Sequence, residues 1–242
     1  MKLKVSGLSK KYGEFLALDN VTFEMEEGIY AILGLNGAGK STLINLITDN
    51  LKRTSGEITL DGEDVLKMGS KYRELIGYMP QEQAYIGEFT ARSYLYYMAE
   101  LKGIRKKEAK SVITRLLNQF NLENSADKKM STFSGGMKQR TILCQALLAN
   151  PKILILDEPT AGLDIRERIN FKEYIKAVSQ NKIVIYCTHV VSDIENIADE
   201  IIMMKAGKIV KKCGIEQLMS ELPEGAGGEY NDLERAFLYF LN

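Results

Sequence analysis

A glycine-rich run at residues 34–42, Gly-Leu-Asn-Gly-Ala-Gly-Lys-Ser-Thr, is the first part of this chain with residue types suited to chemistry. An apolar stretch precedes it and a stretch of helical character follows, so it matches a phosphate-binding loop in sequence and in context. Glycines let backbone N–H groups surround an oxyanion, and the helix start adds unpaired donors and partial positive charge. We expect Lys40 to reach the β- and γ-phosphates of ATP and the Ser41 hydroxyl to bind Mg²⁺. The nucleotide-binding residues predicted in this loop are Gly34, Asn36, Gly37, Ala38, Gly39, Lys40, Ser41 and Thr42.

Two adjacent carboxylates, Asp157 and Glu158, directly follow the apolar run at residues 153–156. Acidic side chains at the end of a buried strand are costly unless a cation or hydrogen-bond donors meet them, although a solvated strand end is the alternative. A magnesium nucleotide supplies such a cation. We therefore predict that Asp157 holds Mg²⁺, directly or through water, and that Glu158 polarises or orients an attacking water.

His189 and Gln81 follow two further apolar runs, at residues 183–187 and 76–79. A lone histidine is more often structural than functional. Ligands of parallel sheets, however, bind at the carboxyl ends of the strands, and four strand ends here deliver polar residues. The agreement predicts that Gln81 and His189 join the loop and the acidic pair at one sheet edge.

The elements that position these residues follow from periodicity. Val21, Phe23 and Met25 alternate along an antiparallel strand, whereas four unbroken apolar runs suit strands covered on both faces. Helical spacing dominates the middle of the chain and predicts helices near residues 95–99 and 109–120. We therefore expect an ATP core at about residues 1–82 and 144–222, a helical subdomain at about 83–143, and a tail at 223–242. The tail has a hinge at 223–228 and a last helix, whose apolar stripe we expect to dock on the protein's own core.

The composition excludes several classes of protein. Lys+Arg and Asp+Glu number 32 each, so no basic field favours nucleic acid, and we expect no nucleic-acid partner. Three widely spaced cysteines have no metal-ligand spacing and are expected to be reduced. Neither a signal peptide nor an apolar run of the roughly 20 residues that span a bilayer is present, which predicts a cytoplasmic location.

Ser134, Gly135 and Gly136, which lie between Gln81 and the acidic pair, resemble the signature motif of ABC ATPases. The order and spacing of the motifs are similar from Met1 to about Leu218. This chain has Phe133 and Met137 where the family usually has leucine and glutamine. The resemblance implies an α/β fold: a P-loop NTPase (RecA-like) core with a parallel sheet, an N-terminal antiparallel β subdomain and an inserted α-helical subdomain.

The resemblance also implies roles for single residues. Tyr12 resembles the aromatic residue that stacks on adenine, and Asp164 ends a segment at residues 161–164 that resembles the D-loop, which communicates between two subunits. Gln81 resembles the glutamine that senses Mg²⁺ and the γ-phosphate beside the membrane partner, and His189 resembles the switch histidine. A Ser-Gly-Gly turn at a helix start is itself a second anion site. It implies a second ATPase subunit, identical or different, whose nucleotide the signature motif completes.

The function expected from these residues and this resemblance is that of an ATP-binding and ATP-hydrolysing subunit of an ABC transporter, peripheral on the cytoplasmic face of the membrane. Separate permease subunits would span the membrane. Residues 87–104 and the tail resemble exporter ATPases of the multidrug and peptide-antibiotic type. A soluble ABC ATPase, for example of the iron–sulfur cluster assembly type, and a module that uses ATP as a switch are the alternatives. Aromatic residues between 85 and 97 either form a groove for a permease helix or pack inside the helical block.

Overall fold

The structure is a computed structural model that describes residues 1–82, 85–221 and 232–241. Its strands are β1 Leu3–Tyr12, β2 Phe15–Met25, β3 Gly28–Leu33, β4 Ser55–Leu60, β5 Glu63–Asp64, β6 Ile76–Met79, β7 Ile153–Asp157, β8 Ile183–Thr188, β9 Glu200–Lys205 and β10 Lys208–Cys213. Its helices are α1 Lys40–Ile47, α2 Val65–Met68, α3 Ser70–Glu74, α4 Ala91–Leu101, α5 Lys106–Gln119, α6 Gly135–Leu147, α7 Ile165–Val178, α8 Ile215–Ser220 and α9 Asp232–Leu241. Short 3₁₀ turns lie at Glu123–Ser125, Met130–Thr132 and Val191–Asp193.

A six-stranded sheet forms the centre, in the order β10-β9-β3-β8-β7-β6. All neighbouring pairs are parallel except β9 with β10. Every residue of β7 and β8 is buried, as expected for strands covered on both faces. The four buried strands predicted from apolar runs are confirmed. The apolar stretch of β9 adds a fifth parallel strand that the sequence reading did not assign.

A second, antiparallel sheet of order β2-β1-β4-β5 contains the N-terminal strands. Val21, Phe23 and Met25 share its buried face, together with Ile58 and Leu60 from β4. Their side chains belong to one apolar cluster with residues of β3, β7 and β8, so this sheet packs on one face of the central sheet. The predicted N-terminal antiparallel subdomain is therefore confirmed.

The helices α4, α5 and α6 lie between β6 and β7 in the chain and share an apolar core with the other face of the central sheet. The α5 positions Ala109, Ile113, Leu116 and Leu117 are buried at helical spacing, as predicted. The proposed subdomain boundary at 143/144 falls within α6, and the boundary at residue 83 and the hinge at 223–228 lie outside the described residues. The domain limits stay a prediction.

The last helix, α9, packs on the body of the protein. It buries Leu233, Ala236, Phe237 and Leu241, and it contacts β9, β10, α8 and the 3₁₀ turn that follows His189. All three cysteines are buried and unpaired. Within residues 1–82, 85–221 and 232–241, no helix is both long enough and apolar enough to cross a bilayer.

Candidate functional site

The glycine-rich loop connects β3 to α1, and packing explains two of its glycines. A Cβ on Gly39 would lie 2.8 Å from the Ala17 carbonyl oxygen, and one on Gly34 would lie 2.6 Å from the Met204 carbonyl oxygen. Gly39 also has a φ of 99° at the start of α1, where a side chain is strained. Gly37 differs because its Cβ would meet open space. The loop is thus held tightly against β2 and β9 on one side and is open on the other.

Lys40 is buried within this loop rather than extended into solvent. Its Nζ donates to the Gly34 carbonyl oxygen at 2.7 Å and to the Leu35 carbonyl oxygen at 3.4 Å. Carbonyl groups neutralise an ammonium only partly, so the positive charge remains available to an anion in the adjoining space. The loop therefore has the form of a preorganised anion site.

A cavity of about 330 Å³ opens beside the loop, at the carboxyl ends of the central strands. Its lining residues are Phe15, Ala17, Asn36, Gly37, Ala38, Gly39, Lys40, Ser41, Thr42, Gln81, Asp157, Glu158 and His189. The structure thus brings together residues from the four strand ends at which the sequence places polar groups.

Asp157 is the last residue of β7 and is almost fully buried. Burial raises the pKa of its carboxyl group above the ordinary value, and the neighbouring Glu158 raises this pKa further. A hydrogen bond from the Cys187 thiol and the charge of Lys40 act in the opposite direction. Keeping Asp157 ionised without a cation is therefore unfavourable, as the sequence reading anticipated.

Glu158 is held in a strained position beside Asp157. Its φ is 47°, in the left-handed region that side chains other than glycine rarely adopt. Its carboxylate has two partners: Oε1 lies 2.8 Å from Nδ1 of His189, and Oε2 accepts a hydrogen bond from Thr188 at 3.2 Å. His189 is half exposed, so the pair joins a buried acid to the cavity opening. An acid with this support can orient a water molecule.

Magnesium fits the donor set of the cavity. Ser41, Gln81 and Asp157 offer a hydroxyl, an amide and one carboxylate, which are oxygen donors of the kind that Mg²⁺ prefers. No group of three or more His, Cys, Asp or Glu side chains among the described residues is placed to hold a metal. A magnesium ion here would therefore rely on phosphate oxygens and waters as well as these side chains, as is usual for Mg²⁺ at nucleotide sites.

The signature residues and Asp164 lie outside this cavity and serve as helix starts. Ser134 precedes α6, and its hydroxyl oxygen accepts a hydrogen bond from the Met137 N–H at 3.3 Å. Asp164 precedes α7 and accepts from the Glu167 N–H at 2.9 Å. Ser134 and Gly135 are exposed, and Gly136 is packed against Glu167. Their predicted part in nucleotide binding stays a prediction.

Tyr12 is not among the residues that line the cavity, whereas Phe15 is. The two residues are partners across the β1–β2 hairpin, so their side chains share one face of the sheet. The Lys10 ammonium lies 5.0 Å from the centre of the Tyr12 ring. The role of Tyr12 stays a prediction. Phe15 and Ala17 were missed by sequence reasoning, although their alternation along β2 and the pairing with Tyr12 are signals that could have found them.

Comparisons with known proteins identify the family. A family model described as "ABC transporter" matches residues 18–161. The chain is 37% identical to the Bacillus subtilis (strain 168) protein "Uncharacterized ABC transporter ATP-binding protein YxlF", over 90% of this chain and 73% of that protein. It is 34% identical to "Nod factor export ATP-binding protein I" of Rhizobium meliloti (strain 1021), over 90% of this chain and 66% of that protein.

Two longer relatives, ABC transporter A family members 8 and 1 of Dictyostelium discoideum, are 34% and 33% identical over 91% and 92% of this chain. The chain spans only 27% and 26% of their lengths. A solved structure titled "Structure of ATP binding subunit of ABC transporter" covers 99% of both chains at a TM-score of 0.84 and 26% identity. The fold, the loop and its cavity, and these matches show that the chain belongs to the ABC transporter family, as one of its ATP-binding proteins.

Proposed function

We propose that this chain hydrolyses ATP with Mg²⁺ and drives the export of a substrate through separate membrane-spanning subunits. One observation carries the proposal: the Glu158–His189 pair lines the same cavity as Lys40 and the glycine-rich loop. A cavity with a phosphate-binding loop alone suits a switch that only binds nucleotide. An acid held by a histidine in the same cavity as the phosphate-binding loop favours turnover.

The glycine-rich loop, Ser41, Gln81, Asp157, Glu158 and His189 each have a part in this proposal. The loop N–H groups and Lys40 bind the β- and γ-phosphates, and Ser41, Gln81 and Asp157 hold Mg²⁺ or its waters. Bound Mg²⁺ supplies charge neutralisation for the phosphates. Glu158 orients the attacking water and receives its proton, while His189 fixes one carboxylate oxygen and contacts the γ-phosphate.

Substitution of Glu158 and Lys40 tests the ATPase. We expect Glu158→Gln to retain ATP binding and to lower turnover by about 100-fold or more, the usual contribution of a positioned general base. Lys40→Ala should weaken ATP binding itself. Glu173→Gln, on the exposed face of α7, is the matched control and should behave as wild type. If Glu158→Gln hydrolysed ATP at the wild-type rate, Glu158 would not be the residue that orients the attacking water.

The position of the signature residues supports a second ATPase subunit. Ser134 and Gly135 are exposed and lie outside the cavity of their own chain, so an anion bound there must come from elsewhere. The partner is a second copy or a similar chain, with each signature motif facing the other chain's nucleotide. ATP should shift Glu158→Gln from monomer to dimer in sedimentation experiments, and ATP-bound protein that stays monomeric even with its membrane partner would contradict the arrangement.

A groove of about 480 Å³ beside Gln81 is proposed to receive a cytoplasmic helix of the membrane subunit. Pro80, Glu82 and Ile86 line one part of it, and Tyr94 and Tyr97 from α4 line another. Tyr94 is buried, while Tyr97 is 43% exposed and packs edge-to-face on Phe89. The aromatic residues thus divide between internal packing and the groove surface, and an apolar groove with exposed rings suits an amphipathic helix.

The groove is tested by co-purification in detergent. Tyr97→Arg should release a polytopic membrane protein that wild type brings down, and ATP binding should remain. Tyr239→Arg introduces the same change at another exposed tyrosine, on α9, and should leave the complex intact. Equal recovery of the membrane protein with both variants would exclude the groove.

Export is supported by the resemblance of residues 87–104 and the tail to exporter ATPases and by the relative whose name includes export. Cells that lack the chain should become more sensitive to some members of a panel of toxic compounds, and those compounds should accumulate inside. Wild type but not Glu158→Gln should restore efflux. If those cells instead lost the uptake of an external nutrient, the protein would drive import and the proposal of export would be wrong.

A further inference from the structure

A buried carboxylate that the proposed function does not use lies behind the catalytic glutamate. Asp193 belongs to the 3₁₀ turn after His189 and is 1% exposed. Thr160 donates a very short hydrogen bond to its Oδ2. Arg168 approaches its Oδ1 with Nη1 at 3.5 Å. A buried carboxylate needs such partners, and these come from two segments that flank residues 161–164.

Thr188 connects this carboxylate to the active site. Its Oγ1 lies 3.2 Å from Oε2 of Glu158 and 3.5 Å from Oδ2 of Asp193. The Val190 N–H donates to the same oxygen at 3.0 Å, which fixes its position. A hydroxyl group has one proton, so Thr188 can donate to only one of the two carboxylates at a time.

Which carboxylate the Thr188 hydroxyl donates to matters because the two carboxylate oxygens of Glu158 are not equivalent. Oε1 lies against His189, so Oε2 is the oxygen left to accept a proton from water. While Thr188 donates to Oε2, one lone pair of that oxygen is taken and the carboxylate is held in its present orientation. When Thr188 donates to Asp193, both lone pairs of Oε2 are available to water.

Arg168 connects the hydrogen bond of Thr188 to residues 161–164. Its Nε donates to the Leu163 carbonyl oxygen at 3.2 Å, and its charge faces Asp193. A cation beside Asp193 weakens the attraction of that carboxylate for the Thr188 proton. Any displacement of residues 161–164 that draws Arg168 away restores the attraction.

We propose that Asp193 and Arg168 are positioning residues that direct the Thr188 hydroxyl and so release or restrain Glu158 in response to residues 161–164. The inference rests on the proposed function, because it concerns the activity of Glu158. In the isolated chain Arg168 stays on Asp193, and Thr188 restrains Glu158. A second subunit that contacts residues 161–164 draws Arg168 away and activates the site.

Two substitutions should change ATP turnover in opposite directions. Arg168→Gln removes the charge beside Asp193, and we expect it to raise kcat of dilute protein about fivefold, the effect of one hydrogen bond. Asp193→Asn weakens the competing acceptor while preserving shape, so Thr188 stays on Glu158 and kcat at high protein concentration should fall by about the same factor. ATP affinity should stay unchanged in both. Raising the protein concentration should stimulate wild type more than either variant, because both variants still need the partner's signature motif but no longer respond through Arg168 and Asp193.

The controls separate this relay from general structural damage. Arg166→Gln changes a neighbouring exposed arginine of α7 and should match wild type. Arg168 is partly exposed, so its variant decides the question even if Asp193→Asn does not fold. A fall or no change in kcat with Arg168→Gln overturns the inference. Activity that survives Glu158→Gln overturns the proposed function instead, so the two failures are distinguishable.

Discussion

Nη1 of Arg140 lies 2.6 Å from Oε2 of Glu167, and this ion pair joins the helix that begins at the signature motif to the helix that follows residues 161–164. The Arg140 side chain is 11% exposed, so the pair is shielded from solvent on one side. The Glu167 N–H donates to Asp164 at the same helix start. This ion pair therefore connects the start of the signature helix to the start of the helix after residues 161–164.

Gly136→Ala should disturb this junction. A Cβ at Gly136 would lie 2.4 Å from the Glu167 carboxyl carbon, so the end of the Glu167 side chain must shift and its pair with Arg140 is weakened. Because the displaced group is the end of a flexible side chain, the cost is mainly that of the weakened ion pair, up to about 1 kcal/mol. We expect a lower Tm and weaker ATP-driven dimerisation, measured by calorimetry and sedimentation, with ATP binding by the monomer retained.

Gly135→Ala is the matched control for stability. Its Cβ would meet Leu163 at an ordinary contact distance of 3.7 Å, and alanine favours a helix over glycine. Its Tm should equal or exceed that of wild type. Equal Tm losses in the two variants would show that Glu167 is not the reason for glycine at position 136.

The sequence was sufficient to predict which polar residues lie at the strand ends. It was not sufficient to predict which residues of different helices are in contact. Asp157, His189 and Gln81 could be assigned to one edge because each follows an apolar run that predicts a strand. The carboxyl ends of parallel strands meet at the same edge of a sheet. The packing of Gly136 on Glu167 joins positions 31 residues apart through a helix-to-helix contact that no periodicity encodes. Thr188 and Asp193 were missed for a related reason: a hydroxyl in a buried strand has no sequence signature for its partner.

Phe15→Ala should weaken nucleotide binding more than Tyr12→Ala does. Phe15 lines the phosphate cavity with its ring 66% exposed, whereas one face of the Tyr12 ring is approached by Lys10. Stacking of a base on an aromatic side chain contributes about 1–3 kcal/mol, so the loss in affinity should be roughly tenfold, measured with a fluorescent ATP analogue.

Leu16→Ala is the control because Leu16 is exposed on the opposite face of β2 and does not line the cavity. Affinity for inorganic triphosphate should not change in the Phe15 variant, since that ligand lacks a base. If affinity for the ATP analogue fell tenfold in Tyr12→Ala and did not change in Phe15→Ala, Tyr12 would be the residue that contacts the base, as the family resemblance implies.

Asp157→Asn should stabilise the nucleotide-free protein at neutral pH. Burial raises the pKa of Asp157, so its ionised form disfavours the folded state at any pH above that raised pKa. The asparagine removes this cost, and Tm at pH 7.5 without Mg²⁺ should rise by a few degrees. As pH falls through that raised pKa, wild type takes up a proton at Asp157 and the difference should shrink. Mg²⁺ with ATP should reverse the order, because the variant loses a metal ligand.

Asp127→Asn provides a comparison of opposite sign. A hydrogen bond from Arg92 lowers the pKa of Asp127, so its charge favours folding above the ordinary carboxyl pKa and that contribution is lost as pH falls. This substitution should lower Tm slightly at pH 7.5 and leave the response to Mg²⁺ with ATP intact. If Asp157→Asn also lowered Tm in nucleotide-free protein, the buried charge would not be a source of instability. The carboxylate would then be satisfied by the protein alone, without any need for the metal.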